Sequence, residues 1–255
     1  MSLKDIINSL YIPKPSTHKG QNGKLLIIGG SKIYHGAPVF SILAARRFVD
    51  LLYFHPPEFD ELLINAVKNV PEAIVEYDLY KVKESDCVLF GVGINDTPVD
   101  EEYIYNNSKK LVIDGDGLKR IDGTVPKGCI ITPHETEFRL MFGLDGTKEN
   151  VKKMAKKHRC IILKKGATDI ISNGTKLMTN TVHNQGMTKG GTGDVLSGLV
   201  AALACKNDLF NSAVAGAYIN GCAGNMLKKR YGYSFCASDL AEELACAYHC
   251  IKKDG

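Results

Sequence analysis

Four short apolar runs that each end in glycine, aspartate or histidine place the strongest constraint on the fold of this chain. Runs of this length and composition are typical of strands buried on both faces of a parallel sheet. Helical patterns separate them, and the first of these opens with Gly36-Ala37-Pro38, where proline suits a first helical turn. We therefore predict an α/β fold with a mainly parallel central sheet and helices on both faces. The runs are residues 25–28, 87–90, 111–113 and 129–132, followed by Gly29, Gly91, Asp114 and Pro133-His134, respectively.

The ends of these predicted strands point to a binding site. In open parallel sheets, ligands bind outside the carboxyl ends of the strands, and here those ends carry small or polar residues. Two antiparallel strands are expected later in the chain, around Ile170 and Leu177, because Asn173-Gly174 between them is a strong hairpin signal. Further strands are expected at residues 51–54 and 160–163, and the last part of the chain is predicted to be helical, over roughly 192–205, 209–229 and 238–251. No linker or repeat interrupts the 255 residues, so we expect a single domain.

Charge and hydropathy argue against several classes of function. The 32 lysines and arginines against 28 acidic residues leave a net charge of +4, whereas a nucleic-acid-binding protein usually shows a larger, clustered excess. The longest apolar stretch, residues 195–205, is too short to span a membrane. The first ten residues do not resemble a signal peptide. We expect a cytoplasmic protein that binds neither nucleic acid nor membranes.

The eight cysteines do not form a metal-binding pattern. None of them has the Cys-x-x-Cys spacing of zinc ribbons and thioredoxin-like motifs. Cys246 and Cys250 are one helical turn apart, which is half a ligand set at most, so packing is the favoured interpretation. Most of the eight lie in apolar surroundings and are expected to behave as small, reduced hydrophobic residues.

The segment Gly190-Gly191-Thr192-Gly193-Asp194 carries the sharpest chemical signal, because it opens an apolar helix. Glycines let the backbone approach a ligand, and the N–H groups and partial positive charge of a helix N-terminus attract anions. We therefore predict an anion-binding site at this segment. It lacks the Gly-Lys-Ser/Thr of a P-loop, and Gly29-Gly30 lacks the third glycine of a Rossmann fingerprint.

Asp194 has two possible roles next to this anion-binding site. Aspartate is a common N-cap, and a cap would need no catalytic explanation. A carboxylate beside bound phosphate would otherwise repel it, unless the carboxylate acts as a base toward a hydroxyl that attacks the phosphoryl group. The small residues that precede Asp194 favour the base.

Two further segments allow both a structural and a functional interpretation. His134, with Glu135 and Glu137 behind it, could start a helix, or could contact a polar ligand while Glu137 lies near a hydrated Mg²⁺. The segment Lys165-Gly166-Ala167-Thr168-Asp169 could hold a nucleotide or form a turn between strands. The other histidines show no partner pattern and are expected to be structural: His18, His35, His55, His158, His183 and His249.

The order and spacing of these segments resemble those of the ADP/ATP-dependent NAD(P)H-hydrate dehydratases, which have a ribokinase-like fold. The resemblance extends from about His18 to Ala247. The matching segments are Gly29-Gly30-Ser31, Gly36-Ala37, Asp114-Gly115-Asp116, Thr132-Pro133-His134, Glu137-Phe138, Leu163-Lys164-Lys165-Gly166 and Gly190-Gly191-Thr192-Gly193-Asp194-Val195-Leu196.

The resemblance implies a repair reaction. The enzyme would phosphorylate the hydroxyl of hydrated NADH or NADPH from ADP or ATP with Mg²⁺, and loss of phosphate would restore the dihydronicotinamide. It also implies a homo-oligomer, often a tetramer. Many relatives carry an N-terminal epimerase domain, and only about 20 residues precede the matching region here, so we do not expect that activity.

The resemblance also assigns roles to individual residues. The hydrated dinucleotide would contact Ala37, Gly93, His134 and Asp194, with Asp194 as the base. Glu137 would lie near the metal, in contact with it directly or through water. The adenine nucleotide would contact Lys165, Gly166, Ala167, Thr168, Asp169, Gly191, Thr192 and Gly193.

Two alternatives remain at the level of sequence. A small-molecule kinase of the same fold would use the same anion site and base, but thiazole and hydroxymethylpyrimidine kinases usually have cysteine at the position of Asp194. Sugar kinases usually have Gly-Ala-Gly-Asp where this chain has Gly191-Thr192-Gly193-Asp194. A non-catalytic nucleotide-binding module would have no use for this carboxylate.

The chain departs from the usual pattern of the dehydratase family at two of the matching segments. The family usually has Gly-Pro-Gly at Gly91-Val92-Gly93 and Asp-Ala-Asp at Asp114-Gly115-Asp116. These differences remove no reacting group.

Overall fold

The computed structural model describes residues 2–253, which form nine strands in a single sheet, eleven α-helices and a short 3-10 helix. The strands are β1 (Lys24–Gly29), β2 (Leu51–His55), β3 (Ala73–Val75), β4 (Cys87–Val92), β5 (Leu111–Ile113), β6 (Ile130–Ile131), β7 (Ile161–Lys164), β8 (Asp169–Ser172) and β9 (Leu177–Asn180). The α-helices are α1 (Leu3–Ser9), α2 (Gly36–Ala45), α3 (Glu61–Lys68), α4 (Lys81–Glu84), α5 (Glu101–Asn107), α6 (Asp116–Lys119), α7 (Glu135–Phe142), α8 (Lys148–His158), α9 (Thr192–Lys206), α10 (Leu209–Tyr231) and α11 (Ala237–Lys253). The 3-10 helix is Gln185–Thr188.

The sheet confirms the predicted mainly parallel architecture. Its strand order is β3-β2-β1-β4-β5-β6-β7-β8-β9, and the strands from β3 to β7 are parallel. Strands β8 and β9 complete the sheet as an antiparallel hairpin around Asn173 and Gly174, as predicted. Because β1 to β7 run in one direction, their carboxyl ends lie along the same edge of the sheet.

Alternate residues of the strands supply the buried surface on the two faces of the sheet. In β1, Leu25 and Ile27 pack on one face against helices that include α2, α9, α10 and α11. Leu26 and Ile28 point to the other face and pack against helices that include α5, α7 and α8. A strand buried on both faces must be apolar at every position, which is why such runs could be recognised in the sequence.

The structure also differs from the prediction at several elements. The predicted run 129–132 pairs only at Ile130–Ile131, although the backbone of Cys129 and Thr132 still bonds to neighbouring strands. Strand β3 was not predicted, because it has only three residues and lies half exposed at the sheet edge, where pairing with β2 holds it. No helix within residues 2–253 is both long and apolar enough to cross a membrane.

Candidate active site

The carboxyl ends of β1, β4, β5, β6 and β7 are joined by backbone hydrogen bonds that hold the loops beyond them in place. Gly30 N–H donates to the Val92 carbonyl at 2.7 Å, and Asp114 N–H donates to the Phe90 carbonyl at 3.1 Å. Further along the edge, Lys165 N–H donates to the Pro133 carbonyl at 2.8 Å. The side chains of Asp114, His134 and Lys165 therefore project from a rigid rim.

The first turn of α9 lies at this rim and has the geometry of an anion site. Its N-cap is Gly191, whose φ of 90° is in the left-handed region. A β-carbon added at Gly191 would lie 2.5 Å from the Phe40 ring, so only glycine fits this start. Thr192 N–H donates to the Lys189 carbonyl at 3.3 Å, whereas the N–H groups of Gly193 and Asp194 have no backbone carbonyl partner among the described residues and are free to face a ligand. The hydroxyl of Thr192 is already used, because it donates to the carbonyls of Met187 and Lys189.

Asp194 is the third residue of α9 and not its N-cap, so the capping alternative for this residue is wrong. Its side chain is half-buried. Burial and the neighbouring Asp114 raise the pKa of Asp194 to about 7, against the lowering effect of Lys165. A general base works best when its pKa lies near the operating pH. The tertiary structure therefore gives Asp194 the property that proton abstraction requires.

Lys165 and Asp114 form an ion pair at the same place. The Lys165 ammonium donates to Asp114 Oδ1 at 2.8 Å, and the Asp114 side chain is only 3% exposed. Burial alone would lower the pKa of Lys165, but Asp114, Glu137 and Asp194 together raise it, so the ammonium stays charged. It lies 3.6 Å from the position of a β-carbon on Gly193. A fixed positive charge therefore adds to the field of the α9 N-terminus, where phosphate would bind.

Six of the eight predicted nucleotide-binding residues line one cavity of about 570 Å³. Asp169 shapes one wall, because its carboxylate accepts from the Gly166 N–H at 3.1 Å and from the Asn180 amide at 3.0 Å. His183, expected to be structural, bonds the Ala167 carbonyl and also lines the cavity. The predicted residues that line this space are Lys165, Gly166, Ala167, Asp169, Thr192 and Gly193, together with His134, whereas Thr168 and Gly191 are not in its lining.

Ala37 and Gly93 lie beside each other, outside the lining of this cavity. A β-carbon on Gly93 would lie 2.8 Å from that of Ala37, which leaves no room for a side chain there. Ala37 is in the first turn of α2, and Ser41 of the same helix donates to the Asp194 carbonyl at 2.9 Å. Because Gly193 lines the cavity and the Asp194 backbone contacts α2, the start of α9 is adjacent to both groups of predicted ligand contacts.

His134 and Glu137 form a capping box at the start of α7. His134 Nδ1 accepts from the Glu137 N–H at 3.2 Å, and Glu137 Oε2 accepts from the His134 N–H at 2.7 Å. The helix-start interpretation of these residues is thus correct. The His134 side chain is nevertheless 53% exposed and lines the cavity, so the ring can also reach a ligand.

The described residues do not form a preformed metal-binding site. Within 2–253, no group of three or more histidine, cysteine, aspartate or glutamate residues is placed to hold an ion. One oxygen of Glu137 is engaged in the capping box. The remaining carboxylate oxygen of Glu137 fits a hydrated Mg²⁺ that is coordinated mainly by nucleotide phosphates. Mg²⁺ commonly keeps several waters and takes few protein ligands.

Sequence reasoning did not select three residues that contribute to the site. Asp114 holds Lys165 and raises the pKa of Asp194, and Asp116 also raises that pKa. Their position at a predicted strand end was visible in the sequence. Asn220 also lines the cavity, and it had no recognisable local signal because it lies in the middle of an ordinary helix.

Comparison with known proteins agrees with this geometry. Residues 25–246 match the family model described as NAD(P)H-hydrate dehydratase. The chain is 40% identical to the bifunctional NAD(P)H-hydrate repair enzyme Nnr of Methanocaldococcus jannaschii over 90% of this chain, but it spans about half (48%) of that relative. It is 34% identical to the ADP-dependent (S)-NAD(P)H-hydrate dehydratase of Cenarchaeum symbiosum, with 92% of each chain covered.

Solved structures share the fold. The ADP/ATP-dependent NAD(P)H-hydrate dehydratase of Bacillus subtilis, co-crystallised with ATP and Mg²⁺, superposes with a TM-score of 0.86 at 24% identity, over 98% of this chain and 97% of that one. A ribokinase-like superfamily protein of Enterococcus faecalis gives 0.84 at 23% identity, over 97% and 94%. With the sheet, the anion site and the matched region in agreement, the chain has the ribokinase-like fold and belongs to the NAD(P)H-hydrate dehydratase family.

Proposed function

We propose that this protein dehydrates (S)-NAD(P)H hydrate to NAD(P)H at the expense of ADP, releasing AMP and phosphate. The observation that carries the proposal is Asp194, a carboxylate with a pKa near 7 in the first turn of α9 and within the field of Lys165. The names of the relatives, which include an ADP-dependent (S)-NAD(P)H-hydrate dehydratase, support this activity over a kinase that releases its phosphorylated product.

In the proposed mechanism, Asp194 takes the proton of the hydrate hydroxyl while that oxygen attacks the terminal phosphorus of ADP. The bond between this phosphorus and the oxygen bridging to AMP breaks, and AMP leaves. The N–H groups at the start of α9 and the Lys165 ammonium stabilise the charge on the transferring group. The bond between the ring carbon and the ester oxygen then breaks and phosphate leaves with the electron pair. The adjacent ring carbon loses a proton to water, which restores the double bond of the dihydronicotinamide.

The remaining residues bind and orient the reactants in this proposal. His134, Ala37 and Gly93 contact the hydrate, and the segment 165–169 with Gly191, Thr192 and Gly193 contacts the nucleotide. Mg²⁺, when bound with the nucleotide, would neutralise phosphate charge. Glu137 Oε1 lies 3.5 Å from Nε2 of His134, a residue that lines the cavity. We propose that Glu137 meets this ion through water.

The assay for this function follows the return of reduced-nicotinamide absorbance from hydrated NADH. We expect recovery with ADP and Mg²⁺, and none without a nucleotide. Recovery without nucleotide would contradict the proposal, as would a stable phosphorylated product. ATP in place of ADP, assayed in parallel, measures which donor the enzyme uses better.

We also propose that the protein is a homo-oligomer of the cytoplasm. Phe59 and Leu62 are 73% and 77% exposed, and the Phe59 ring lies 6.4 Å from that of Tyr77, which supports an apolar protein interface. The eight cysteines are unpaired, which suits a reducing compartment. Light scattering after size-exclusion chromatography measures the assembly directly, and a monomer of 27.9 kDa would contradict it.

A further inference from the structure

The positive charge of the chain is concentrated on helix α8 and the residue that follows it. Residues 148–159 contain six cations and one acid, a net charge of +5, whereas the other 243 residues contain 26 cations and 27 acids. The modest net charge of +4 for the whole chain therefore conceals a strongly basic segment. We call its cations the α8 cation cluster: Lys148, Lys152, Lys153, Lys156, Lys157 and Arg159.

All six side chains of the cluster are exposed, and none forms an ion pair with an acidic side chain among residues 2–253. The acids in the segment before α8 have other partners, since Glu135 pairs with Lys164 and Asp145 with Arg139. Like charges four residues apart on a helix repel each other. A bound polyanion would remove this repulsion.

The cluster lies away from the candidate active site. The opposite face of α8 is buried through Val151, Met154 and Ala155, so the cations can only face outward. Strand β7 begins directly after α8, which places the end of the helix at the amino edge of the sheet, opposite the site. There the Gly128 N–H donates to the Arg159 carbonyl at 2.9 Å. No member of the cluster is in the lining of the nucleotide cavity.

The spacing of the lysines suits a chain of phosphates. Five of them form two rows at intervals of four residues, one at 148, 152 and 156 and the other at 153 and 157. Each interval rises about 6 Å along the helix, a step comparable to the separation of successive phosphates in one nucleic-acid strand. Lysine binds phosphate as a point charge, and a basic stripe along a helix is typical of nucleic-acid binding.

Other polyanionic surfaces fit the α8 cation cluster less well. Protein interfaces are enriched in aromatic residues and depleted in lysine, whereas the exposed positions of α8 hold no apolar side chain. A helix that binds a membrane inserts its apolar face into the lipid, but the apolar face of α8 packs in the core. A rigid duplex would touch this convex surface at few phosphates. A flexible single strand can follow the rows.

We propose that the α8 cation cluster binds single-stranded RNA through its phosphates, without reading the sequence. Because α8 presents no exposed aromatic ring on which bases could stack, the contacts are electrostatic. Binding of this kind has a Kd of about 10⁻⁴–10⁻⁶ M at physiological salt and weakens as salt rises. This binding is independent of the proposed dehydratase activity. It differs from the expectation based on net charge, which does not report clustering.

Fluorescence anisotropy of a labelled 20-nucleotide oligouridylate tests the proposal on the full chain. Uridine is used because it lacks the adenine that the nucleotide cavity is proposed to bind. Four to six neutralised phosphates predict a slope of about −3 to −4 for log affinity against log salt. The affinity should therefore fall roughly 60- to 250-fold between 50 and 200 mM salt.

A fourfold glutamine variant removes most of the cluster and keeps the helix, since glutamine is a good helix former. At 50 mM salt its affinity for the oligouridylate should be at least about tenfold weaker than that of the wild-type protein, with a slope between about −1 and −2. Arginine at the same four positions keeps the charge and should keep the binding. The substitutions are Lys152→Gln, Lys153→Gln, Lys156→Gln and Lys157→Gln.

The matched control removes the same charge from exposed lysines elsewhere on the surface. It should bind the oligouridylate within about twofold of the wild-type protein. Calorimetric titration with ADP shows that each variant is folded. If the fourfold glutamine variant does not fold, the double variant Lys152→Gln/Lys156→Gln replaces it and should bind about three- to fivefold more weakly than wild type. The control substitutions are Lys4→Gln, Lys14→Gln, Lys19→Gln and Lys68→Gln.

Three results would overturn the proposal. One is anisotropy that does not change with the oligouridylate at 50 mM salt, and another is an equal loss of affinity in the control and α8 variants. The third is displacement of the oligouridylate by polyglutamate or phosphatidylserine vesicles at equal charge, which would assign the cluster to an acidic protein or a membrane. Recovery of NADH from its hydrate should proceed at the wild-type rate in both glutamine variants, so the dehydratase assay fails or succeeds independently.

Discussion

Asp194 combines a location beside positive charge with a pKa raised to about 7. Burial is the main cause, because it disfavours the charged carboxylate, and Asp114 adds repulsion. Lys165 opposes both effects and keeps the carboxylate partly ionised near neutral pH. The balance among these three side chains therefore determines whether the residue can accept a proton at physiological pH.

Replacing Asp194 with asparagine should separate chemistry from binding. The shape is retained and the N-cap is elsewhere, so we expect the protein to fold. Turnover should fall by about 10²- to 10⁴-fold, the usual cost of losing a general base. Affinity for ADP should hold or improve, because a negative charge next to the phosphates is gone. Single-turnover rates and calorimetry on the same sample measure both, and near-normal turnover would remove Asp194 from the mechanism.

The stability of the same variant provides an independent check of the raised pKa. The unfolded chain ionises Asp194 near its ordinary value of 3.8 and the folded chain near 7. Ionisation therefore favours the unfolded chain increasingly between these pH values, and this cost is complete above pH 7. Asp194→Asn should be more stable than wild type at pH 8 and similar to it near pH 4.

Asp114 should set the pH dependence of the reaction through Asp194. In the wild-type protein we expect the single-turnover rate to rise with pH through about 7, as the base loses its proton. Asp114→Asn removes a repelling carboxylate and leaves the Lys165 charge uncompensated, and both changes lower the pKa of Asp194. In this variant, the rise of the single-turnover rate with pH should occur at lower pH. A rise at unchanged or higher pH would contradict this coupling.

At the scale of elements, the start of α9 depends on Gly191. Its φ of 90° and the 2.5 Å approach of the Phe40 ring leave no space for a β-carbon. Gly191→Ala should cost about 1–3 kcal/mol of folding free energy and disturb ADP binding. Gly190→Ala is the matched control, since its β-carbon would meet nothing within 4 Å. Urea denaturation of both variants measures the difference, and equal stability would show that the start of α9 tolerates a side chain.

Variants of His134, the N-cap of α7, test whether its side chain stabilises the helix, binds the ligand or does both. His134→Ala removes the cap and should cost about 1 kcal/mol. It should also weaken binding of the hydrate more than binding of ADP. His134→Ser restores a capping box with Glu137 but has no imidazole, so it should recover stability and not hydrate affinity. Full recovery of both by serine would show that the ring makes no contact with the hydrate.

At the scale of the whole molecule, both layers of helices pack on one shared sheet. Because loss of the sheet would expose both faces together, we propose that the chain unfolds as a single domain, in one calorimetric transition. ADP at about 100 times its Kd should raise the midpoint by roughly 5–10 °C, since such binding contributes about 2.7 kcal/mol. Two separated transitions would contradict the single domain, and an unmoved midpoint would contradict ADP binding.

Much of this fold could be predicted because its strands are locally encoded. The runs at β1, β4 and β5 are apolar at every position, and such a pattern requires burial on both faces. The edge strand β3 could not be found in this way, since only its partner β2 distinguishes Ala73–Val75 from a loop. The short helices α4, α5 and α6 were missed for the same reason, because they have only one or two turns and depend on their neighbours.

The sequence by itself determined the elements of the site, and the tertiary structure decided their chemistry. The glycines before Asp194 and the polar strand ends are local patterns, because backbone freedom and strand burial act within a few residues. The pairing of Lys165 with Asp114 spans 51 residues, and the burial that raises the pKa of Asp194 comes from the packed fold. Asn220 likewise lines the cavity only because α10 packs against Val182. Solvent exclusion and charge proximity depend on which distant segments meet, so only the folded chain could reveal them.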